Sequence, residues 1–181
     1  MKLKKLCLLS TVLLLAAGSV RAQNDPVQTQ NKTDDRYAAN EFSVDLFGGY
    51  SKNFQNIDDL FDHTWRHGDW GGGFGANYFF LRYVGIGADT FMYDDGKFWK
   101  NVSGNIYLRI PINCTGLAPY VYGGGGREFA PNITWSYGVG VGLEYRFDRH
   151  VGIFIDDRYY WADKGGASDR NQTRAGFRLV F

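Results

Sequence analysis

Apolar and polar residues alternate along the chain from Glu41 to Phe181. In the clearest stretch, residues 134–147, one face carries only apolar or aromatic side chains: Trp135, Tyr137, Val139, Val141, Leu143, Tyr145 and Phe147. The residues between them are glycine, polar or charged. Because successive side chains of a strand point to opposite faces, this period of two predicts β-strands. No segment of the region has a convincing helical period.

The alternation divides into eight segments. We predict strands at residues 41–51, 69–79, 83–93, 100–110, 119–129, 134–147, 151–161 and 172–181. Each is close to the roughly 9–11 residues that a tilted strand needs to cross a bilayer. Short and longer connections alternate, as in membrane barrels with short turns inside and longer loops outside. The sequence therefore predicts an all-β fold, an eight-stranded antiparallel up-and-down transmembrane β-barrel in which strand eight pairs with strand one.

One face of the predicted barrel is rich in glycine and charge. We assign these charged residues to the lumen: Asp45, Asp89, Arg109, Glu144, Arg146, Asp156, Arg158, Arg174 and Arg178, with Arg127 as a further candidate. An eight-stranded barrel is just wide enough for its own side chains, and charges buried there must pair. We therefore expect a salt-bridge network that fills the lumen. An ion pathway is the alternative interpretation, and a soluble barrel with its apolar face enclosed is the alternative fold.

The glycines of this face leave room for large side chains from other strands, and for a small cavity beside strands five and six.

Two strands depart from the alternation. Residues 123–126 are all glycine and blur the pattern of strand five. In strand seven, Asp157 falls on the apolar face, which indicates either a β-bulge or a place near the membrane edge.

Aromatic residues mark both ends of the strands. We predict a belt of tryptophans next to the longer loops: Trp70, Trp99, Trp135 and Trp161. A second belt at the opposite ends comprises Phe79, Tyr83, Tyr145, Phe147 and Phe181. Two such belts are typical of membrane barrels, because these rings combine an apolar body with a polar edge.

The N-terminus has the composition of an export signal. Three lysines precede a 12-residue apolar stretch, residues 6–17, and small residues follow at positions 20 and 22. This order predicts a secretory signal peptide at 1–22, with a buried helix as the alternative. Residues 23–40 are polar and predict a flexible periplasmic lead-in. The barrel domain then occupies 41–181.

Composition excludes several classes of function. With 20 basic and 19 acidic residues, the chain lacks the basic excess expected of a nucleic-acid-binding protein. Two cysteines are too few for a disulfide scaffold. His63 and His67 have a spacing that binds metal on a helix, but they fall in a predicted loop, so we expect a solvated loop rather than a metal site. We predict no cofactor, and no catalytic constellation is visible.

Three stretches resemble a known family. They are Gly138–Gly152, Asp157–Tyr159 and Arg174–Phe181, and they are similar to the small eight-stranded outer-membrane barrels, which include porin-like, opacity-type and OmpA-like membrane domains. The resemblance implies a place in a bacterial outer membrane, in contact with its lipid. The chain ends on Phe181 with Leu179 and Phe177 at alternate positions, which resembles the signal read by the barrel assembly machinery.

The expected function follows from fold and location. We expect a structural or surface-interaction role, with a loop partner that the sequence does not identify. A narrow porin-like pore for small solutes is the first alternative, and a lipid-modifying enzyme is the second. A soluble lipocalin-like binder is a further alternative.

Overall fold

The computed structural model describes residues 36–54, 68–93, 101–129, 134–162 and 169–181. It contains eight strands: β1 Glu41–Phe54, β2 Gly68–Phe79, β3 Val84–Tyr93, β4 Asn101–Arg109, β5 Leu117–Glu128, β6 Thr134–Arg146, β7 Val151–Ala162 and β8 Asp169–Val180. Each strand pairs antiparallel with the next, and the sheet is closed. The predicted eight-stranded barrel is confirmed. The predicted signal peptide, Trp99, His63 and His67 lie outside the described residues.

The barrel closes between its first and last strands. β1 pairs with β8 over a register that runs from Ser43 opposite Val180 to Phe54 opposite Asp169. Closure pairs the backbones of the two strands that would otherwise be edges, and a sheet in lipid requires this. The described residues contain no helix that is long and apolar enough to cross a membrane.

The two ends of the barrel differ in their connections. The chain enters β1 and leaves β8 at the end where residues 80–83, 110–116 and 147–150 form the connections, which we call the turn end. The other four connections lie at the opposite end, which we call the loop end. At the turn end, Asp148 accepts hydrogen bonds from the backbone amides of His150 and Val151 at 2.7 and 2.8 Å. This Asx-type turn explains how four residues reverse the chain.

Side chains alternate between the two faces as the sequence predicts. The outward face carries large exposed apolar residues on every strand, among them Leu46, Phe74, Ile86, Ile106, Val121, Val141, Ile155 and Phe177. The inward face carries buried polar, charged and aromatic residues. This is the reverse of a soluble barrel and matches the environment of a bilayer.

Glycines on the inward face make room for aromatic rings from neighbouring strands. A Cβ atom at Gly140 would lie 2.4 Å from the ring of Tyr122, and one at Gly142 would lie 2.4 Å from the ring of Tyr120. These tyrosines belong to a buried cluster with Phe79 and Tyr107. At these two positions glycine is therefore a packing requirement, because any side chain there would occupy the space of a tyrosine ring.

Two predictions about facing directions are wrong. Phe79 was assigned to the aromatic belt, but it lies on the inward face with 1% of its surface exposed. Arg127 was a candidate for the lumen, but it points outward and its guanidinium lies 5.8 Å from the ring centroid of Trp135. In both cases the residue follows the strict alternation of its strand, so Phe79 shares a face with Asn77, and Arg127 shares one with Val121.

Asp157 keeps a regular register on the outward face. It stands opposite Val141 on β6 and Thr173 on β8, with no bulge in either pairing. Thr173 and Asn171 donate hydrogen bonds to its two carboxylate oxygens, at 2.7 and 3.0 Å. The bulge considered for strand seven is therefore wrong. Cross-strand hydrogen bonds are instead donated to both oxygens of the Asp157 carboxylate.

Candidate functional site in the barrel interior

The nine charged residues assigned to the lumen all lie inside the barrel. Each is buried, with at most 7% of its surface exposed: Asp45, Asp89, Arg109, Glu144, Arg146, Asp156, Arg158, Arg174 and Arg178. They come from all strands except β2 and β5. Isolated charges in such surroundings would be prohibitively expensive, so the arrangement depends on how they pair.

The turn-end cluster contains three arginines and three carboxylates: Glu41, Asp45, Arg109, Glu144, Arg146 and Arg178. Glu41 accepts hydrogen bonds from Arg109 at 2.6 Å and from Arg146 at 2.9 and 3.0 Å. Arg178 donates to both oxygens of Asp45 at 2.7 Å. Its remaining nitrogen pairs with Glu144, which Arg146 also contacts. The cluster thus links β1, β4, β6 and β8 across the lumen.

The central cluster contains Asp89, Asp156, Arg158 and Arg174. Arg174 donates to the two oxygens of Asp156 at 2.8 and 2.9 Å. Arg158 pairs with Asp89 at 2.8 Å, and Arg174 approaches the same carboxylate at 3.3 Å. Bidentate arginine–carboxylate pairs are among the strongest hydrogen-bonded contacts in proteins. The cluster joins β3, β7 and β8.

Uncharged donors complete the central cluster. Tyr120 and Tyr122 donate hydrogen bonds to Asp156 at 2.9 and 3.0 Å. Ser103 and Asn105 donate to Asp89 at 2.7 and 2.9 Å. Both carboxylates are therefore surrounded by donors on several sides, which lowers the cost of burying them.

A third ion-paired group, a single pair, lies nearer the loops. Arg170 on β8 contacts Glu128 on β5, and we call these two residues the loop-end pair. Each of the three groups is neutral by itself, with three, two and one charges of each sign. Within the described residues, the ion-paired interior therefore holds six arginines and six carboxylates and has no fixed net charge.

A residue from outside the strands, Tyr37, is buried at the turn end. Tyr37 is 2% exposed and lies between two guanidinium groups, with ring-centroid distances of 4.3 Å to Arg146 and 5.0 Å to Arg109. Its hydroxyl donates a hydrogen bond to the carbonyl of Gly116 at 2.8 Å. Burial raises the pKa of this hydroxyl, which therefore stays protonated at neutral pH. The sequence placed Tyr37 in the flexible lead-in, but the structure places it in the barrel interior.

The packing of Tyr37 predicts a large effect of its removal. We expect Tyr37→Ala to lower the free energy of unfolding by about 3–5 kcal/mol, the usual cost of deleting a buried aromatic side chain. Tyr37→Phe keeps the ring between the guanidiniums and loses only one hydrogen bond, so its cost should be about 0.5–1.5 kcal/mol. Urea unfolding in detergent, followed by tryptophan fluorescence, measures both. Equal losses for the two variants would contradict the packing role of the ring.

Three charged residues of the interior were not among the nine predicted: Glu41, Glu128 and Arg170. Glu41 precedes Ser43 and Asp45 on the same face, so extending the alternation by one step identifies it. Arg170 was placed in a loop because strand eight was predicted to start at residue 172, whereas β8 begins at Asp169. Glu128 lies beyond the glycine run that obscured the register of β5.

The other predicted site residues that the structure describes lie on the outward face. Trp70, Trp135 and Trp161 are 67%, 54% and 39% exposed, at the loop-end part of their strands. Phe177, Leu179 and Phe181 are 63%, 49% and 71% exposed. The first two lie on the outside of β8, and Phe181 directly follows that strand. Their surroundings are those of a lipid-facing wall.

No catalytic or metal-binding arrangement is apparent in the part of the chain that the structure describes. Among those residues, no three histidine, cysteine, aspartate or glutamate side chains are grouped so that they could hold a metal ion. The imidazole of His150 lies at the turn end, 3.1 Å from the carbonyl oxygen of Val180. That contact fixes the ring against β8 rather than against a nucleophile.

Comparisons with known proteins agree with this architecture. A family model described as "Outer membrane protein beta-barrel domain" matches residues 10–181. No curated protein matches the sequence. The N-terminal β-barrel domain of OprF from Pseudomonas aeruginosa has 16% identity and a TM-score of 0.61, over 80% of this chain and 99% of that one.

Two further solved structures are similar. Neisserial surface protein A (NspA) has 14% identity and a TM-score of 0.58, over 77% of this chain and 97% of that one. The attachment invasion locus protein Ail of Yersinia pestis has 16% identity and a TM-score of 0.52, over 79% of this chain and 99% of that one. At these identities the likeness concerns the fold alone.

Proposed function

Because the chain belongs to the outer membrane protein β-barrel family, we propose that it is a sealed, structural barrel of the bacterial outer membrane that presents its loop end to partners at the cell surface. The turn end, with the start of β1 and the end of β8, then faces the periplasm, as short turns do in such barrels. The proposal separates two tasks: the wall and the lumen provide a stable support, and the loops provide the contact.

The observation that carries the proposal is the neutral interior, in which every one of the six arginines and six carboxylates has an ion-pair partner. Ions cross a lumen when fixed charges attract them and water accompanies them. Here the buried charged side chains are already bonded to one another, as Arg178 is to Asp45 at 2.7 Å. Opening a path through such pairs leaves buried charges without partners, at about 3–5 kcal/mol for each pair broken. The network therefore supports a barrier rather than a conduit.

The turn end supports the same interpretation. Tyr37 covers Arg109 and Arg146 from the periplasmic side, and the carbonyls of Arg36 and Ala38 accept hydrogen bonds from these two side chains. Residues 36–38 thus cover the periplasmic side of the turn-end cluster. A solute entering from either side meets paired charges and packed rings.

Assembly by the outer-membrane machinery is part of the proposal. Phe177, Leu179 and Phe181 form an exposed apolar row at the end of the strand that closes the barrel. A row that faces lipid in the finished barrel is accessible before closure, so the C-terminal strand is suited to recognition by a barrel-assembling partner.

Planar-bilayer recording tests the sealed lumen. We expect the purified wild-type protein to produce no discrete conductance steps above the membrane leak at neutral pH. The same preparation must show the heat-dependent gel shift of a folded barrel, which excludes a trivial negative result. Reproducible steps from folded protein would contradict the proposal and favour the narrow pore. Altered lipid A in cells that overproduce the protein would instead favour an enzyme.

A further inference from the structure

We propose that the outward face of β7 and β8 binds one membrane lipid whose acyl chain carries a hydroxyl group. Two features meet on this face: an apolar groove and, directly on its loop-end side, the carboxylate of Asp157. The groove fits an apolar chain, and the carboxylate fits a hydrogen-bond donor on that chain. The inference goes beyond the proposed support role and takes from it only that this wall faces lipid.

The groove lies on the outside of β6, β7 and β8 and has a volume of about 450 Å³. Its outward lining is apolar and includes Leu143, Ile155, Ala175 and Phe177. Ala175 is the smallest of these side chains, and it stands opposite Ile155 on β7 and Gly48 on β1. Gly48 brings no side chain to the wall, so the surface is low at Ala175, beside the larger Ile155 and Phe177. A single extended acyl chain fits such a depression.

Asp157 lies within the hydrocarbon layer rather than at its surface. It is the next outward residue of β7 after Ile155, and Thr173 is the next of β8 after Ala175. Trp161, which we place in the aromatic belt at the interface, lies four residues further along β7. Four residues span about 13 Å of strand, or about 10 Å of membrane depth at the usual tilt. A carboxylate at that depth in a lipid-facing wall is unfavourable without polar partners.

The hydrogen bonds from Thr173 and Asn171 use only part of what Asp157 can accept. Each of them donates to a different carboxylate oxygen, at 2.7 and 3.0 Å, and a carboxylate offers about four acceptor sites. The side chain of Asp157 is partly exposed on the outward face. Hydrocarbon tails have no donors to offer, so the remaining acceptor sites favour a ligand that brings a hydroxyl group to this depth.

Depth and charge disfavour the other occupants of this face. Charged headgroups stay at the membrane surface, and a phosphate would also meet Asp169, whose carboxylate accepts a hydrogen bond from Tyr159 at 2.9 Å. A second copy of this chain, packed symmetrically, would set the same patch against itself. That arrangement opposes Asp157 to its own like charge and one groove to another. A hydroxylated acyl chain fills the groove and also donates to the carboxylate.

Solution NMR of the barrel in phosphatidylcholine nanodiscs tests the site with two neutral probes that differ by one hydroxyl, methyl 3-hydroxytetradecanoate and methyl tetradecanoate. The methyl signals of Ala175 and Thr173 are the readout. We expect saturable shifts of both signals, with half-saturation by the hydroxylated ester at a mole fraction about tenfold or more below that of the plain ester. Equal half-saturation by the two esters would overturn the proposal. Shifts that follow the number of barrels per disc rather than the ester content would assign the face to a second copy and would also overturn it.

Two variants separate the carboxylate from the groove. Asp157→Leu keeps the approximate size of the side chain and removes the acceptor, so the two esters should then bind equally. Ala175→Phe fills the groove and should abolish the saturable shift at Thr173 with either ester. A preference for the hydroxylated ester that persists in Asp157→Leu would overturn the assignment, as would unchanged binding by Ala175→Phe.

Ala88→Phe is the matched control for Ala175→Phe. Ala88 is exposed on the outward face of β3, where it stands opposite Ala76 and Gly104. The same enlargement there should leave both half-saturation values unchanged. All three variants alter outward side chains, and the heat-dependent gel shift verifies that each barrel is folded. Conductance is a separate measurement, so failure here leaves the sealed lumen standing.

Discussion

Replacing Arg178 by alanine should lower the free energy of unfolding by about 3–5 kcal/mol, the cost of leaving buried partners without their counter-charge. Arg178 is 2% exposed and holds Asp45 through two hydrogen bonds of 2.7 Å. It also pairs with Glu144, so a single change deprives two buried carboxylates of a partner. Urea unfolding of the refolded barrel, followed by tryptophan fluorescence, gives the difference.

Arg127→Ala is the matched control for this prediction. It removes the same type of side chain, but Arg127 is exposed on the outward face and contacts the rings of Phe129 and Trp135. An exposed cation–π contact contributes about 0.5–1 kcal/mol. If Arg178→Ala were no more costly than Arg127→Ala, the turn-end cluster would be solvated rather than buried and paired.

Replacing Gly176 by valine should prevent formation of the closed barrel. A Cβ atom at Gly176 would lie 2.3 Å from the carbonyl oxygen of Leu46, and 2.6 and 2.8 Å from Cβ and Cα of Phe47. Gly176 and Phe47 face each other across the seam where β8 meets β1. Backbone atoms cannot move aside as a flexible side chain can, so the cost exceeds the roughly 1–3 kcal/mol of ordinary overpacking. We expect the heat-modifiable band to disappear from outer-membrane fractions.

Gly104→Val is the control for Gly176→Val. Gly104 lies on the outward face of β4, and a Cβ atom there would meet nothing within 4 Å. This variant should fold and shift on heating like the wild type. Folded protein in equal amounts from both variants would contradict the close approach of β1 and β8 at Phe47.

The sequence predicted the fold because the alternation is nearly unbroken. In β6, thirteen residues from Thr134 to Arg146 form one strand, and their burial alternates as their polarity does. The same rule places Arg146 and Glu144 inside. Even Phe79, which was misassigned on the basis of its aromatic character, follows the rule when its position is counted from Asn77.

The contacts within the interior were not predictable in the same way. Alternation indicates which face a residue occupies, but it does not indicate which of six carboxylates meets a given arginine across the lumen. Arg178 and Asp45 are 133 residues apart in sequence, and their pairing depends on the shear of the closed sheet. Tyr37 was missed because it belongs to no strand, so no periodicity marks its burial.

Arginine side-chain NMR distinguishes a lumen filled by paired side chains from one filled by water. Hydrogen exchange at Nε–H should be strongly slowed at Arg174 and Arg178, whose Nε atoms donate to Asp156 and Asp45 at 2.8 and 2.7 Å. Exposed Arg127 supplies the reference in the same spectrum. Slow exchange at both buried arginines and fast exchange at Arg127 is the predicted result. Equally fast exchange at all three arginines would show that water fills the lumen and would contradict a lumen filled by paired side chains.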